Sequence, residues 1–397
     1  MDSSSVCLPD AQLRLSGSQL ESLLYTVLFP PICILGLVGN ALTIMVLVSN
    51  DFLSRANVFL TCLAVCDVIF LLLIIPHSLA NFDVIGLNYT FRYLYLPSKM
   101  HLIAFANWSS AVAIWLVVGV CFERVIGVRF PLHRLTTPSK AKLCSGVTLL
   151  IFSCALLTFY NHFSHHCFIK SFCNTTQIMS VCLDVNMQVW PGNRTNFSPQ
   201  ALRNYVSWTR AANAVLVVIV PLCLLILLNG MLLYYVKKRS FFMYASLGKI
   251  GTRPGTTGKS VEAALPFIAT FFRRHSDQII QQKTEHRVAV TVCAVVTSFT
   301  ITQAPSAVVL CFNSLWPESF NPNWYHLKTT TSFLVVVGKS LNFIVFCLSS
   351  SSFRRRLFNM LRSKYSKEMR GSIATQYSRC ESRDSRVLSQ KKSFQSI

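Results

Sequence analysis

Asp67, Glu123, Arg124 and Lys339 are ionisable residues set within or at the ends of otherwise apolar stretches. Burying a charge among apolar groups is costly unless it meets a partner, so such residues are functional by default. Their chemistry is the pairing, holding and release of charge. No nucleophile–base–acid set gathers in a shared cleft, so an enzyme is not expected, and no cofactor is implied. His162, His165 and His166 raise the thought of a metal. At that spacing beside a loop they read as solvated or structural histidines, and no metal site is expected.

The elements that hold these residues follow from composition. Of 397 residues, 52% are hydrophobic and 13% charged, where a soluble domain carries about 25% charged residues. The mean hydropathy is +0.47. A spanning helix needs roughly 20 mostly apolar residues, and seven such runs lie near 22–48, 57–80, 97–128, 141–162, 208–236, 284–312 and 326–350. Backbone groups in lipid must be satisfied within each segment, so each run is expected to be helical. The fold class is an all-α membrane protein, a seven-transmembrane helix bundle. After the seventh run, Phe353, Leu357, Phe358 and Leu361 share one helical face while Arg354, Arg355, Arg356 and Arg362 occupy the rest. That pattern predicts a short amphipathic helix on the inner membrane face. The chain divides into an extracellular N-terminus (1–21), a membrane domain (22–350), the surface helix (351–363) and a disordered cytoplasmic tail (364–397). No cleaved signal peptide is read at the start.

A net charge of +22 could suggest nucleic acid, but its distribution does not. Most Lys and Arg fall in the loops that follow helices 1, 3 and 5 and in the tail, so the N-terminus is expected outside and the C-terminus in the cytosol. The same bias accounts for attraction to anionic inner-leaflet lipid. Glycosylation sequons at Asn88, Asn174, Asn193 and Asn196 fall in loops assigned to the outside, which agrees with that topology. A further sequon at Asn107 sits inside the third run and should be unused.

Motifs then appear in order along the helices. Gly36-x-x-Gly39-Asn40 lies in the first, Leu63-Ala64-Val65-Cys66-Asp67 in the second and Glu123-Arg124-Val125 at the end of the third. Pro131-Leu132 follows the third. Pro221 lies in the fifth, Phe299 and Pro305 in the sixth, and Asn342-Phe343-Ile344-Val345-Phe346 near the end of the seventh. Over residues 22–363 this set resembles the rhodopsin-like G-protein-coupled receptors. Within them, Phe130-Pro131-Leu132, Asn229 and Asn342-Phe343 resemble the FMRFamide-type invertebrate neuropeptide receptors. The resemblance implies that Glu123, Arg124 and Glu285 form an inner clamp and that Leu132 inserts into a heterotrimeric G protein. It also implies that Ile114, Pro221 and Phe299 relay pocket changes inward, with Asn342 and Phe346 in the inner network. Proline leaves a carbonyl unpaired and a helix free to kink, a local reason for Pro221 and Pro305.

Several positions depart from the family pattern. Lys99 stands where many members carry the cysteine that tethers helix 3 to the second outer loop. Cys7, Cys167, Cys173 and Cys182 remain as outer cysteines, with three full pairings open. Phe346 replaces a tyrosine and Gln303 a tryptophan. Lys339 falls beside the family's sodium pocket around Asp67, near Asn40, and is expected to pair with Asp67 in place of sodium. Ala106 stands where amine receptors carry an Asp, and Val336 where opsins carry a lysine, so neither class is expected. The remaining reading is an extracellular peptide, with a small organic ligand of a chemosensory receptor as the alternative. A transporter or channel is disfavoured by the lack of internal repeats. Candidate pocket residues are His77, Lys99, Ile103, Ala106, Trp208, Gln303, Ser306 and Lys328. Arrestin and receptor kinases are expected to act on the Ser-rich tail, at the plasma membrane.

Overall fold

The computed structural model describes residues 6–49, 55–129, 140–250, 290, 292–312, 322–349 and 353–363. Leu132, Glu285 and the Ser-rich tail lie outside the described residues. Among those described, seven helices are long and apolar enough to cross a membrane. They are α1 (Gln19–Val48), α2 (Arg55–Ala80), α3 (Tyr89–Arg129), α4 (Ala141–His162), α5 (Gln200–Tyr235), α6 (Val292–Phe312) and α7 (Asn323–Leu348). The protein is a multi-pass membrane protein. Residues 1–349 form one compact unit and 350–397 a second, in which a helix runs over 353–363.

Two helices start earlier than the apolar runs indicate. α3 begins at Tyr89 rather than near 97, and α5 at Gln200 rather than near 208. In both, the added turns carry polar residues that are bonded to loops or exposed, so no apolar run announces them. Asn88 caps α3, its Oδ1 accepting from Phe91 N at 3.1 Å. α5 contains a π-helical stretch, Ala214–Ile219, that ends just before Pro221. Proline supplies no N–H to the carbonyl four residues back, and a widened turn accommodates that loss.

α3 is the central helix and packs on α2, α4 and α5, while α7 packs on α1 and α2. The closest approaches use glycine. A Cβ on Gly36 would lie 2.6 Å from Leu71 Cδ1, and one on Gly39 would lie 2.6 Å from Phe343 Cβ. Gly338 leaves room for Thr302 of α6 in the same way. Small residues at such crossings let helices pack where no hydrophobic force drives them together.

The bundle is helical, but the segment between α4 and α5 is not. Strands β1 (His165–Phe172) and β2 (Gln177–Asp184) form an antiparallel hairpin. β3 (Val189–Trp190) and β4 (Arg194–Thr195) form a second, smaller pair. Cys167 and Cys182 face each other in the hairpin register and are disulfide-bonded. The second disulfide joins Cys7 to Cys173 at the hairpin turn. Leu8 is held there too: its N–H donates to Gln177 Oε1 at 2.9 Å, and Gln177 Nε2 donates to its carbonyl at 3.0 Å.

Arg92 connects these pieces. It is 2% exposed. Its guanidinium donates to the carbonyls of Ile178 (2.6 Å), Leu13 (2.8 Å) and Gly86 (2.8 Å). The family's covalent tether from helix 3 is absent, as Lys99 implies, and Arg92 joins the start of α3 to β2 by hydrogen bonds instead.

The four predicted glycosylation sites are not equivalent. Asn88, Asn174 and Asn193 are exposed. Asn196 uses its Nδ2 to donate to the carbonyls of Val185 (2.8 Å) and Met187 (2.7 Å), and its Oδ1 accepts from Ser198 N. A glycan on Nδ2 would replace one of its two N–H groups and so remove one of these bonds. Asn196→Gln is therefore expected to leave the glycan mass on a deglycosylation gel unchanged, whereas each other Asn→Gln change removes one step. Arg92→Ala leaves three buried carbonyls without a donor, each costing about 1–3 kcal/mol. It is expected to lower the thermal midpoint of the purified protein and its yield at the cell surface.

Candidate functional site

The site is built around a buried charge pair. Lys339 Nζ lies 3.0 Å from Asp67 Oδ1, and both side chains are 0% exposed. Asn342 Nδ2 donates to the other carboxylate oxygen. Asn40 Nδ2 donates to the carbonyls of Gly36 (2.9 Å) and Lys339 (3.2 Å), bringing α1 to the same point. The Lys339 ammonium also sits 4.8 Å from the centre of the Phe70 ring, a favourable placement of a cation on an aromatic face. The pair thus joins α1, α2 and α7, and the predicted meeting of Asp67, Lys339 and Asn40 is what the structure contains.

Next to it lies a cavity of about 280 Å³. Its walls come from all seven helices, α1 contributing Tyr25, and include Phe70, Ile103, Ala106, Ile114, Phe299, Gln303, Ser306 and Val336. Among the described residues, no charged side chain lines it. Asn213 Oδ1 and Gln303 Nε2 are buried at its wall without a hydrogen-bond partner, an arrangement that leaves one acceptor and one donor for a guest. Phe70 therefore touches both the charge pair and the cavity.

Ile103, Ala106, Gln303 and Ser306 line the cavity as predicted, and His77, Lys99, Trp208 and Lys328 do not. Trp208 is 78% exposed. It stands on an outward face of α5 near its start, where an indole suits a membrane interface. His77 belongs to a separate polar cluster. Its Nε2 lies 3.3 Å from Glu21 Oε1 and its Nδ1 is 3.1 Å from the Tyr95 hydroxyl. Tyr325 donates to the Glu21 carboxylate, and the Gly17 N–H donates to it at 2.7 Å. Ser18 Oγ accepts from Glu21 N at 3.1 Å. Glu21, 7% exposed, was not anticipated. The Ser18-x-x-Glu21 spacing ahead of an apolar run is a capping-box signal that marks it in the sequence.

Lys99 and Lys328 stand with His165, Asp184 and Arg210 beyond the cavity, where their charges act on the His165 imidazole. Burial first, and then the cations Arg210, Lys328 and Lys99, hold that imidazole below its usual range, with Asp184 opposing. Arg210 pairs with Asp184 at 2.9 Å. The three neighbouring histidines diverge. His162 meets His101 at 2.9 Å, His165 meets Ser164 at 2.9 Å, and His166 stacks on Trp190.

At the opposite end of the bundle, Glu123 Oε1 accepts from Arg55 of α2 at 3.2 Å, a partner the motif alone does not indicate. Phe299 and Phe346 are buried. Asn229 Nδ2 donates to Thr297 Oγ1 at 3.1 Å, linking α5 to α6.

Among the described residues, seven membrane-length helices surround a cavity that lies beside a buried charge pair, an arrangement that fits a membrane receptor. A Caenorhabditis elegans protein named as a G-protein coupled receptor is 36% identical over 357 residues, which are 89% of this chain and 76% of that protein. By that relationship the chain belongs to the G-protein-coupled receptors, and its seven apolar helices fit the rhodopsin-like class. A second C. elegans relative, sex peptide receptor-related protein 2, is 24% identical over 85% of this chain and 71% of its own length. Mouse galanin receptor type 2 is 29% identical over 36% of this chain and 39% of its own length. No protein-family model matches. The FMRFamide-type assignment is not supported by the names of these relatives. As a member of this receptor family, the protein is not an enzyme.

Removing one member of a buried ion pair strands the other, at a cost of about 3–5 kcal/mol. Lys339→Met is expected to lower the thermal midpoint of the purified receptor sharply. Adding Asp67→Asn to the same chain should recover part of that loss, because the remaining group is then neutral.

Proposed function

We propose that this receptor sits in the plasma membrane with its N-terminus outside, and that it takes a neuropeptide into the cavity between α2 and α7. Binding is relayed through Ile114, Pro221 and Phe299 to Arg124, and α6 then opens toward a heterotrimeric G protein. The observation that carries this reading is the placement of Ile114 and Phe299 on the cavity wall itself. There, a bound group can move the contacts between α3 and α6 directly. Such a change shifts a two-state equilibrium only by the ligand's differential affinity for the two states. The names of two relatives, galanin receptor type 2 and sex peptide receptor-related protein 2, support a peptide ligand. The volume of about 280 Å³ supports the second reading, a small chemosensory ligand, because it admits only the end of a peptide. Arrestin and receptor kinases would act on the tail, and anionic inner-leaflet lipid on the basic loops and the surface helix.

In this scheme Arg124, Glu123, Leu132 and Glu285 control the cytosolic mouth, Asn342 and Phe346 complete the inner network, and the Lys339 ammonium takes the place of sodium beside Asp67. A peptide-library screen with a promiscuous G protein should return hits. Arg124→Ala, at matched surface expression, should abolish the response to them; an unchanged response would remove Arg124 from the switch. The purified receptor is also expected to melt at the same temperature in sodium and choline chloride of equal ionic strength. A sodium-dependent midpoint would mean that sodium still occupies the Asp67 site.

A further inference from the structure

The cavity and its rim differ in charge. Within the cavity the walls are apolar or neutral and polar. One helical turn away, cations stand on three different helices. Lys99 precedes the wall residue Ile103 by four positions on α3, and Lys328 precedes Ser332 by four on α7. Arg210 precedes Asn213 by three on α5. Residues three or four apart share a helix face, so the three cations crown the walls they precede. His165 of the hairpin lies within electrostatic reach of all three.

The negative charge at this rim is already committed. Asp184 receives Arg210 at 2.9 Å through Oδ2 and 3.1 Å through Oδ1. Glu21, the other described acid near Lys99, is held by His77 and Tyr325. Arg210 balances Asp184 and Glu21 offsets part of the charge on Lys99, so the rim beside the cavity's low-dielectric walls keeps a net positive charge, with Lys328 the cation least compensated. Such an arrangement focuses the field outward, raises the local concentration of anions and repels cations. Discrimination of this kind works as much by excluding the wrong charge as by binding the right one.

We infer that the ligand carries an acidic group, a carboxylate or a comparable oxyanion, which Lys99 and Lys328 hold at the rim while an uncharged apolar part enters the cavity. This rests on the cavity being the ligand site. It runs against a basic peptide, the kind of ligand that the FMRFamide-type resemblance suggests. An acid could come from a side chain or from a free C-terminus, and the two are separable by experiment.

The test uses the purified full-length receptor and four capped dipeptides led by N-acetylphenylalanine. The second residue is aspartate amide, asparagine with a free carboxylate, asparagine amide or lysine amide. Each is titrated against the thermal midpoint. At least one acid is expected to stabilise at a concentration about tenfold below that of the neutral amide, equivalent to about 1.4 kcal/mol, and the lysine compound least of all. Which acid wins identifies the source of the charge. In Lys99→Ala/Lys328→Ala the advantage should vanish while the neutral compound binds as before. Equal potency across the set, survival of the advantage in that variant, or no stabilisation by any of the four would overturn the inference. The readout needs no G protein, so Arg124→Ala should keep the acid preference. A failure of coupling would bear on the receptor mechanism and leave this result standing.

Discussion

An ammonium and a carboxylate with no exposure to solvent cannot exist apart in this protein. Lys339 and Asp67 tolerate burial because each neutralises the other, and because Asn342 satisfies the second carboxylate oxygen. That requirement fixes much else. α7 must bring Lys339 to the depth of Asp67 on α2, which calls for glycine at Gly36, Gly39 and Gly338, where a side chain would hold the helices apart. Asn40 then reaches the Lys339 carbonyl only because α1 lies so close. A mobile ion in such a pocket can leave and return; a tethered ammonium cannot. The charge balance at the core is therefore built into the chain, and Phe70, in contact with the ammonium and the cavity, lies where a guest would meet it.

The end of the bundle that carries the N-terminus solves a different problem. Many receptors of this class fasten the central helix to the loop above it with a disulfide. Here Arg92 reaches three carbonyls from three separate segments. A planar guanidinium with five donors suits that task better than a lysine, whose donors radiate from one point. The result couples the N-terminal segment, the loop between α2 and α3 and the hairpin to a single side chain. The cavity rim rests on that platform, since His165 and Asp184 are the first and last residues of the hairpin.

The sequence showed the seven helices clearly because lipid demands long apolar runs with internal hydrogen bonding. It understated α3 and α5 because their first turns obey loop chemistry. The Lys339–Asp67 pair was legible because few charges lie deep in the bundle. The Glu123 partner was not, because Arg55 lies 68 positions away at the start of another helix. Four of the eight pocket candidates line the cavity. The others failed for particular reasons: His77 is drawn to Glu21, Trp208 faces outward, and Lys99 and Lys328 stop one turn short. The disulfides could not be chosen by counting cysteines. The hairpin register settles one of them, and the position of the N-terminal segment settles the other.

The bond between Cys7 and Cys173 also carries an arithmetic of sidedness. Its ends are 166 residues apart, and α1, α2, α3 and α4 lie between them. Four is even, so two thiols that begin on one side of the bilayer meet when all four helices have crossed, and an odd number of failed crossings parts them. Had one failed to insert, the cysteines would face different compartments and the bond could not close. Synthesis is vectorial, so Cys7 must also wait for its partner until the four helices between them have been made. The covalent link thereby acts as a parity check on membrane insertion, closing only around a chain that has crossed an even number of times before Cys173.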